Sequence, residues 1–207
     1  MTAFEFFFSF YGLLLGLSLA VIATGAATAI QHRRKLRIGW LTPLLAVFVA
    51  LDVASFWDFA WTMYHDVPFS YGLLVASLVV AVVYFIAASL VFPHQIEDGA
   101  SLDDHFWANR KVVLLLTIAA NVLALLVAVP VIAAKPAAAQ IGAGYGFTIA
   151  IYIGLILPAA LVRNRAAFAT LVGLHIAIYL LSAIGSAVMP EVSDRLMEGP
   201  PPAADRP

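Results

Sequence analysis

Asp52 is a carboxylic acid in an apolar run, Ala50-Leu-Asp-Val-Ala54, 12 residues after Trp40. On a helix rising about 1.5 Å per residue it lies about 18 Å in, near the middle of a hydrocarbon layer about 30 Å thick. Inserting an aspartate there costs about 2.5–3.5 kcal/mol. Such residues face a bundle interior or a watery cavity and mark ion or proton paths. The plainer alternative is a hydrogen bond to a neighbouring helix. Asp58 sits nearer the outer end of the same segment. At about 100° per residue, Ser55, Asp58 and Thr62 fall within about 60° of one another, and Asp52 about 60° beyond Ser55. The segment therefore has one polar face with two acids, flanked by Trp57 and Trp61. Asp58 reads either as an acid of an outer vestibule or as a hydrated interfacial carboxylate.

Asn121 follows Arg110 by 11 residues, and His175 follows Arg165 by 10. Both fall at nearly the depth of Asp52. An aspartate and a histidine within reach can pass a proton, because histidine titrates near neutral pH. Otherwise each polar group is satisfied by its own backbone carbonyl. Haem is not expected, since His175 has no second intramembrane histidine to pair with as an axial ligand. The segment 93–111 carries His94, Glu97, Asp98, Asp103, Asp104 and His105 without a strict metal-ligand spacing. With no cysteine, disulfides, iron–sulfur clusters and thiol catalysis are excluded. No nucleophile elbow, phosphate loop or kinase signature is present. No cofactor, metal or catalytic residue is therefore expected, and enzymatic activity is the least favoured class.

These residues need a membrane to be meaningful, and the composition supplies it. Hydrophobic residues make up 63% of the 207 and charged residues 11%, against roughly a quarter charged in soluble domains. Mean hydropathy is +0.98. So few charges exclude a soluble domain, a disordered chain and a nucleic-acid binder. Six stretches reach the length of about 20 apolar residues that a helical span needs. They run from about Phe4 to Ile30, Trp40 to Tyr64, Tyr71 to Phe92, Val112 to Ala134, Tyr145 to Val162 and Ala167 to Met189. Runs such as 73–90 do not alternate, which favours helices over a β-barrel. The expected fold is an all-α bundle of six transmembrane helices over residues 1–189. A polar, proline-rich tail, 190–207, is expected to be disordered.

Eight of the eleven Lys and Arg residues lie in the loops after spans 1, 3 and 5: Arg33, Arg34, Lys35, Arg37, Arg110, Lys111, Arg163 and Arg165. The other side holds Lys135, Arg195 and Arg206. Basic loops stay in the cytoplasm, so both termini are expected outside. The N-terminus, Met1-Thr-Ala-Phe-Glu5, has no base before its apolar core and does not read as a cleaved signal peptide.

Gly12, Gly16 and Ala20 form a small-residue ladder on span 1, suited to close helix packing within the chain, or to a homo-oligomer or membrane-protein partner. Phe4, Phe6, Phe7, Phe8, Phe10 and Tyr11 read as an interfacial anchor. Tyr11-Gly12, Tyr71-Gly72 and Tyr145-Gly146 each fall near the outer end of an odd span, a weak hint of three repeated hairpins. Ser101-Leu-Asp-Asp104 reads as a capping box for a short helix leading into span 4. Phe106 and Trp107 are then expected at the interface, with Arg110 and Lys111 beside lipid phosphates. The glycines of Ile141-Gly-Ala-Gly-Tyr-Gly146 read as an outer-loop hinge before span 5.

Tyr11-Gly-Leu-Leu-Leu-Gly-Leu-Ser-Leu-Ala20, Arg33-Arg-Lys-Leu-Arg-Ile-Gly-Trp-Leu-Thr-Pro43, Phe56-Trp57, Trp61, Leu90-Val-Phe-Pro93, Leu102, His105-Phe106 and Asn109-Arg-Lys111 together carry a loose resemblance. Over about the first half, the chain resembles an uncharacterised group of small multi-span bacterial inner-membrane proteins. The resemblance implies that location and no known activity. The residues themselves point to a small proton or ion transporter or channel, with Asp52 as the carrying acid, Asn121 and His175 as its partners and Asp58 in an outer vestibule. The alternative is a non-catalytic membrane subunit or assembly protein.

Overall fold

The computed structural model describes residues 3–68, 70–95 and 101–188. They form six helices: α1 (Ala3–Gln31), α2 (Leu41–Tyr64), α3 (Tyr71–Ser89), α4 (Leu102–Ala133), α5 (Ala138–Leu161) and α6 (Arg165–Val188). Each is long and apolar enough to cross a membrane. Among the described residues the only β pairing is a single bridge between Arg37 and Ser101. In lipid every backbone polar group must be bonded within its own segment, which is why apolar sequence of this length becomes helix. The chain is an all-helical, multi-pass membrane protein. The tail 190–207, Glu97 and Asp98 lie outside the described residues.

The helices close a ring in the order α1, α3, α4, α5, α6, α2, and α2 also packs across it against α4 and α3. One face of α2, with Leu45, Phe48, Val49, Asp52, Val53 and Phe56, is thereby buried at the centre. The loops after α1, α3 and α5 meet at one end of the bundle. Leu102 N–H donates to the Arg37 carbonyl at 3.1 Å, and Thr42 Oγ1 donates to the Leu102 carbonyl at 3.1 Å. Arg165 pairs with Asp103 at 3.2 Å. His105 Nε2 donates to the Leu90 carbonyl at 3.0 Å. A Cβ on Gly39 would fall 1.7 Å from Asp103 Oδ1, so a larger residue there requires the Asp103 carboxylate to move.

Four local expectations are corrected. Ser101 does cap, its Oγ accepting from Asp104 N–H at 3.4 Å. The helix it starts is α4 itself, because no glycine or proline interrupts 102–111. Phe106 is buried against Phe168 (ring centroids 4.8 Å apart) rather than interfacial. Arg110 does not reach outward to lipid: it is 7% exposed, stacks 4.1 Å over Trp107 and donates to the Val162 carbonyl, capping the end of α5. That carbonyl lacks a helical partner, and a buried cation beside it satisfies both. The glycines at 142, 144 and 146 are helical residues of α5 rather than a hinge. A glycine costs a helix about 1 kcal/mol, less than the several kcal/mol of an unbonded backbone group in lipid.

The small-residue ladder divides. A Cβ at Gly12 would come within 3.1 Å of the Trp57 ring of the same chain, whereas nothing lies within 4 Å of one at Gly16. Ala20 is exposed. The side chains of Phe4, Phe6 and Phe7 lie outside the described residues. Phe8 packs on Trp57 and Trp61, at 5.8 and 5.0 Å between centroids. Tyr11 is buried and Tyr71 is 76% exposed, so the three Tyr-Gly pairs occupy unlike positions.

Candidate functional site: a buried carboxylate ringed by hydroxyls

Asp52 is 0% exposed at the centre of the bundle. Tyr179 of α6 donates to its Oδ1 at 2.7 Å. Tyr152 of α5 donates to its Oδ2 at 3.0 Å. Asn121 of α4 donates through Nδ2, 3.1 Å from Oδ1 and 3.3 Å from Oδ2. The same Nδ2 lies 3.0 Å from the Tyr84 hydroxyl of α3 and 3.0 Å from the Thr117 carbonyl. Five of the six helices thus converge on one carboxyl group. The expected pairing of Asp52 with Asn121 is present, and every hydrogen-bonding partner of the carboxyl is uncharged.

The chemistry of those partners matters. An amide nitrogen has two hydrogens, yet four acceptors surround Asn121 Nδ2, so the pattern can redistribute. A phenol both donates and accepts. An ionised Asp52 takes hydrogen bonds from Tyr152, Tyr179 and Asn121. A protonated Asp52 would give its own hydrogen to a tyrosine oxygen. A lysine or arginine, which only donates, would fix the ionised form. A metal cation would need several oxygens aimed at it, whereas here hydrogens are aimed at the carboxylate. The arrangement is suited to gaining and losing a proton.

His175 is 4% exposed and lies one helical turn before Tyr179 on α6. No hydrogen bond joins it to Asp52. Its ring instead sits edge-on among Tyr179, Tyr152 and Phe48, at 4.6, 4.9 and 5.8 Å between centroids. Neither Nδ1 nor Nε2 has a hydrogen-bond partner among the described residues. A buried imidazole left so is costly and calls for an explanation such as a water or a moving proton. His175 therefore touches the two tyrosines that hold Asp52, and stands one ring away from the carboxylate.

Asp58 is exposed near the far end of α2 and is separate from this cluster. Between them, Ser55 Oγ donates to the Asp52 carbonyl at 2.9 Å. Among the described residues no group of three His, Cys, Asp or Glu is placed to hold a metal.

Tyr84, Tyr152 and Tyr179 were not singled out by the sequence reading. The available signal was depth. Tyrosine belongs at membrane interfaces, but Tyr84 lies 13 residues past Tyr71 and Tyr179 lies 14 past Arg165, well inside their spans. A phenol there needs a polar partner.

No protein-family model, curated protein or solved structure matches this chain.

Proposed function

We propose that the protein carries protons across a membrane, with Asp52 as the group that binds and releases them. The observation that carries this reading is the ring of uncharged hydroxyl and amide partners, which can satisfy Asp52 in both protonation states. His175 serves as the second proton-holding group, reached through Tyr152 and Tyr179. Asn121 steadies the carboxylate. Asp58 draws cations to the surface on its side. The end bearing the basic loops after α1, α3 and α5 faces the cytoplasm, as basic loops do. The resemblance to small multi-span proteins supports a bacterial inner membrane.

Infrared difference spectra of the reconstituted protein between low and high pH test the site. The expected result is a protonated-carboxyl C=O band that is absent in Asp52→Asn. Identical spectra for the two proteins would overturn the reading. The open space at Gly16 and the exposure of Ala20 favour a second reading, a subunit that docks another membrane helix along α1.

A further inference from the structure

The bundle is asymmetric about Asp52. Toward the end where the loops after α1, α3 and α5 meet, Phe48, Leu114, Ile156, Phe168 and Val172 are all 0% exposed. The buried polar side chains toward that end are His175, Thr117, whose hydroxyl donates to the Leu114 carbonyl at 2.9 Å, Thr42 and Arg110. Toward the opposite end, α6 leaves the bundle: Tyr179 is half-buried, and every residue from Leu180 to Val188 is exposed.

The outer part of α6 is two-faced. At about 100° per residue, Ser182, Ala183 and Ser186 lie within about 60° of Tyr179, whose hydroxyl is bonded to Asp52. Leu180, Leu181, Ile184 and Val188 lie on the other side. The face directed at the bundle is thus small and hydroxylated, yet it is exposed, so open space separates it from its neighbours. Across that space stands the polar face of α2, Ser55, Asp58 and Thr62. On α5, Tyr145 and Thr148 share the face of Tyr152. Phe59 of α2 meets Tyr145 at 5.2 Å between centroids. These residues lie on the faces of α2, α5 and α6 that lead outward from Asp52, Tyr152 and Tyr179, and the exposure of α6 there leaves a slot between them.

We infer that this slot is a water-filled half-channel between α2, α5 and α6. Through it Asp52 exchanges protons with the side on which Asp58 lies, and Tyr179 separates the carboxylate from the water. The inference rests on the reading of Asp52 as the exchanging group. The ionisable Asp58 is what distinguishes the slot from a lipid-filled gap, since the hydroxyls of Ser55, Thr62, Thr148 and Ser186 each also bond a carbonyl of their own helix.

The native chain has no cysteine, so single-cysteine variants of the full-length protein in liposomes report access cleanly. A charged, water-soluble thiosulfonate is added to Ser55→Cys, Ser182→Cys and Ser186→Cys, with Leu181→Cys on the apolar face and Val172→Cys in the sealed layer for comparison. Reaction at Ser55→Cys and Ser182→Cys is expected to be at least about tenfold faster than at Leu181→Cys and Val172→Cys, because a charge is excluded from hydrocarbon. Ser182→Cys, one turn beyond Tyr179, reads nearly the same depth should Ser55→Cys fail to fold. Reaction at Ser186→Cys alone would overturn the proposal, because the water would stop short of Tyr179. So would reaction at these sites with a neutral, lipid-soluble maleimide only, since acyl chains would then fill the slot. Labelling does not depend on proton flux: accessible cysteines with no carboxyl band would keep the slot and remove the proton.

Discussion

Tyr179 donates a 2.7 Å hydrogen bond to Asp52 and is also the last residue of α6 that packs into the bundle. One phenol therefore joins the fully buried Asp52 to the exposed outer part of α6. Around it, Tyr152 and Asn121 complete the carboxylate's partners. Removing the acceptor and removing a single donor should have unequal effects.

Asp52→Leu strands the hydroxyls of Tyr152 and Tyr179, at about 1–3 kcal/mol for each group left unbonded in the interior, while Asn121 keeps the Tyr84 hydroxyl and the Thr117 carbonyl. Asp52→Asn keeps an acceptor oxygen in place. Thermal unfolding in detergent should put Asp52→Leu well below Asp52→Asn, by at least about 2 kcal/mol. Equal midpoints would show that the cluster adds little to the fold.

Tyr152→Phe removes one donor and leaves no buried group without a partner, because Asp52 retains Tyr179 and Asn121. Hydrogen bonds between membrane helices average about 0.6 kcal/mol. The same unfolding measurement should therefore show a loss of about that size, smaller than that of Asp52→Leu.

Gly39→Ala would drive a Cβ to within 1.7 Å of Asp103 Oδ1. It should destabilise the end where the loops meet, and Asp103→Ala in the same chain should recover part of the loss by removing the obstructing carboxylate. A double-mutant cycle reads this directly. Additive effects would mean that the loop simply shifts away.

Arg110→Lys should fail to replace arginine. A lysine lacks the planar fork that stacks on Trp107 while bonding the Val162 carbonyl. A loss of about 1–3 kcal/mol is expected, measured by the same unfolding experiment. An Arg110 whose role was to touch lipid phosphates would tolerate lysine with no loss.

The six spans and the central acid were legible because both rest on local signals: apolar run length, and a charge where none belongs. Equal depth made Asn121 a candidate partner of Asp52, and the packing of α2 against α4 brings the two together. Other features depended on which helices meet, which depth does not specify. Tyr152 and Tyr179 carry no local signal that ties them to Asp52; only the packing of α5 and α6 beside α2 does. Arg110 and Phe106 read as anchors because the approach of the α5–α6 turn is a long-range event. The α5 glycines read as a hinge by the habits of water-exposed chains, where a broken helix can bond to solvent. His175 was placed at the right depth, but its neighbours are aromatic rings rather than the carboxylate.

Sidedness has a direct check. In intact cells an impermeant thiol reagent should spare Lys35→Cys and Arg163→Cys and label Ala139→Cys, with the basic loops inside. The reverse pattern would invert the orientation and place the α2–α5–α6 slot on the cytoplasmic side.

The most direct measurement is proton flux into liposomes holding the purified protein, driven by a potassium diffusion potential and read with a trapped pH dye. The wild-type protein should acidify or alkalise the lumen according to the sign of the potential. Asp52→Asn, folded and reconstituted to the same density, should lose that flux, and Asp58→Asn should retain most of it. Equal flux in wild type and Asp52→Asn, or none in either, would contradict a proton-carrying role for Asp52 and leave it as the hydrogen-bonded tie among five helices.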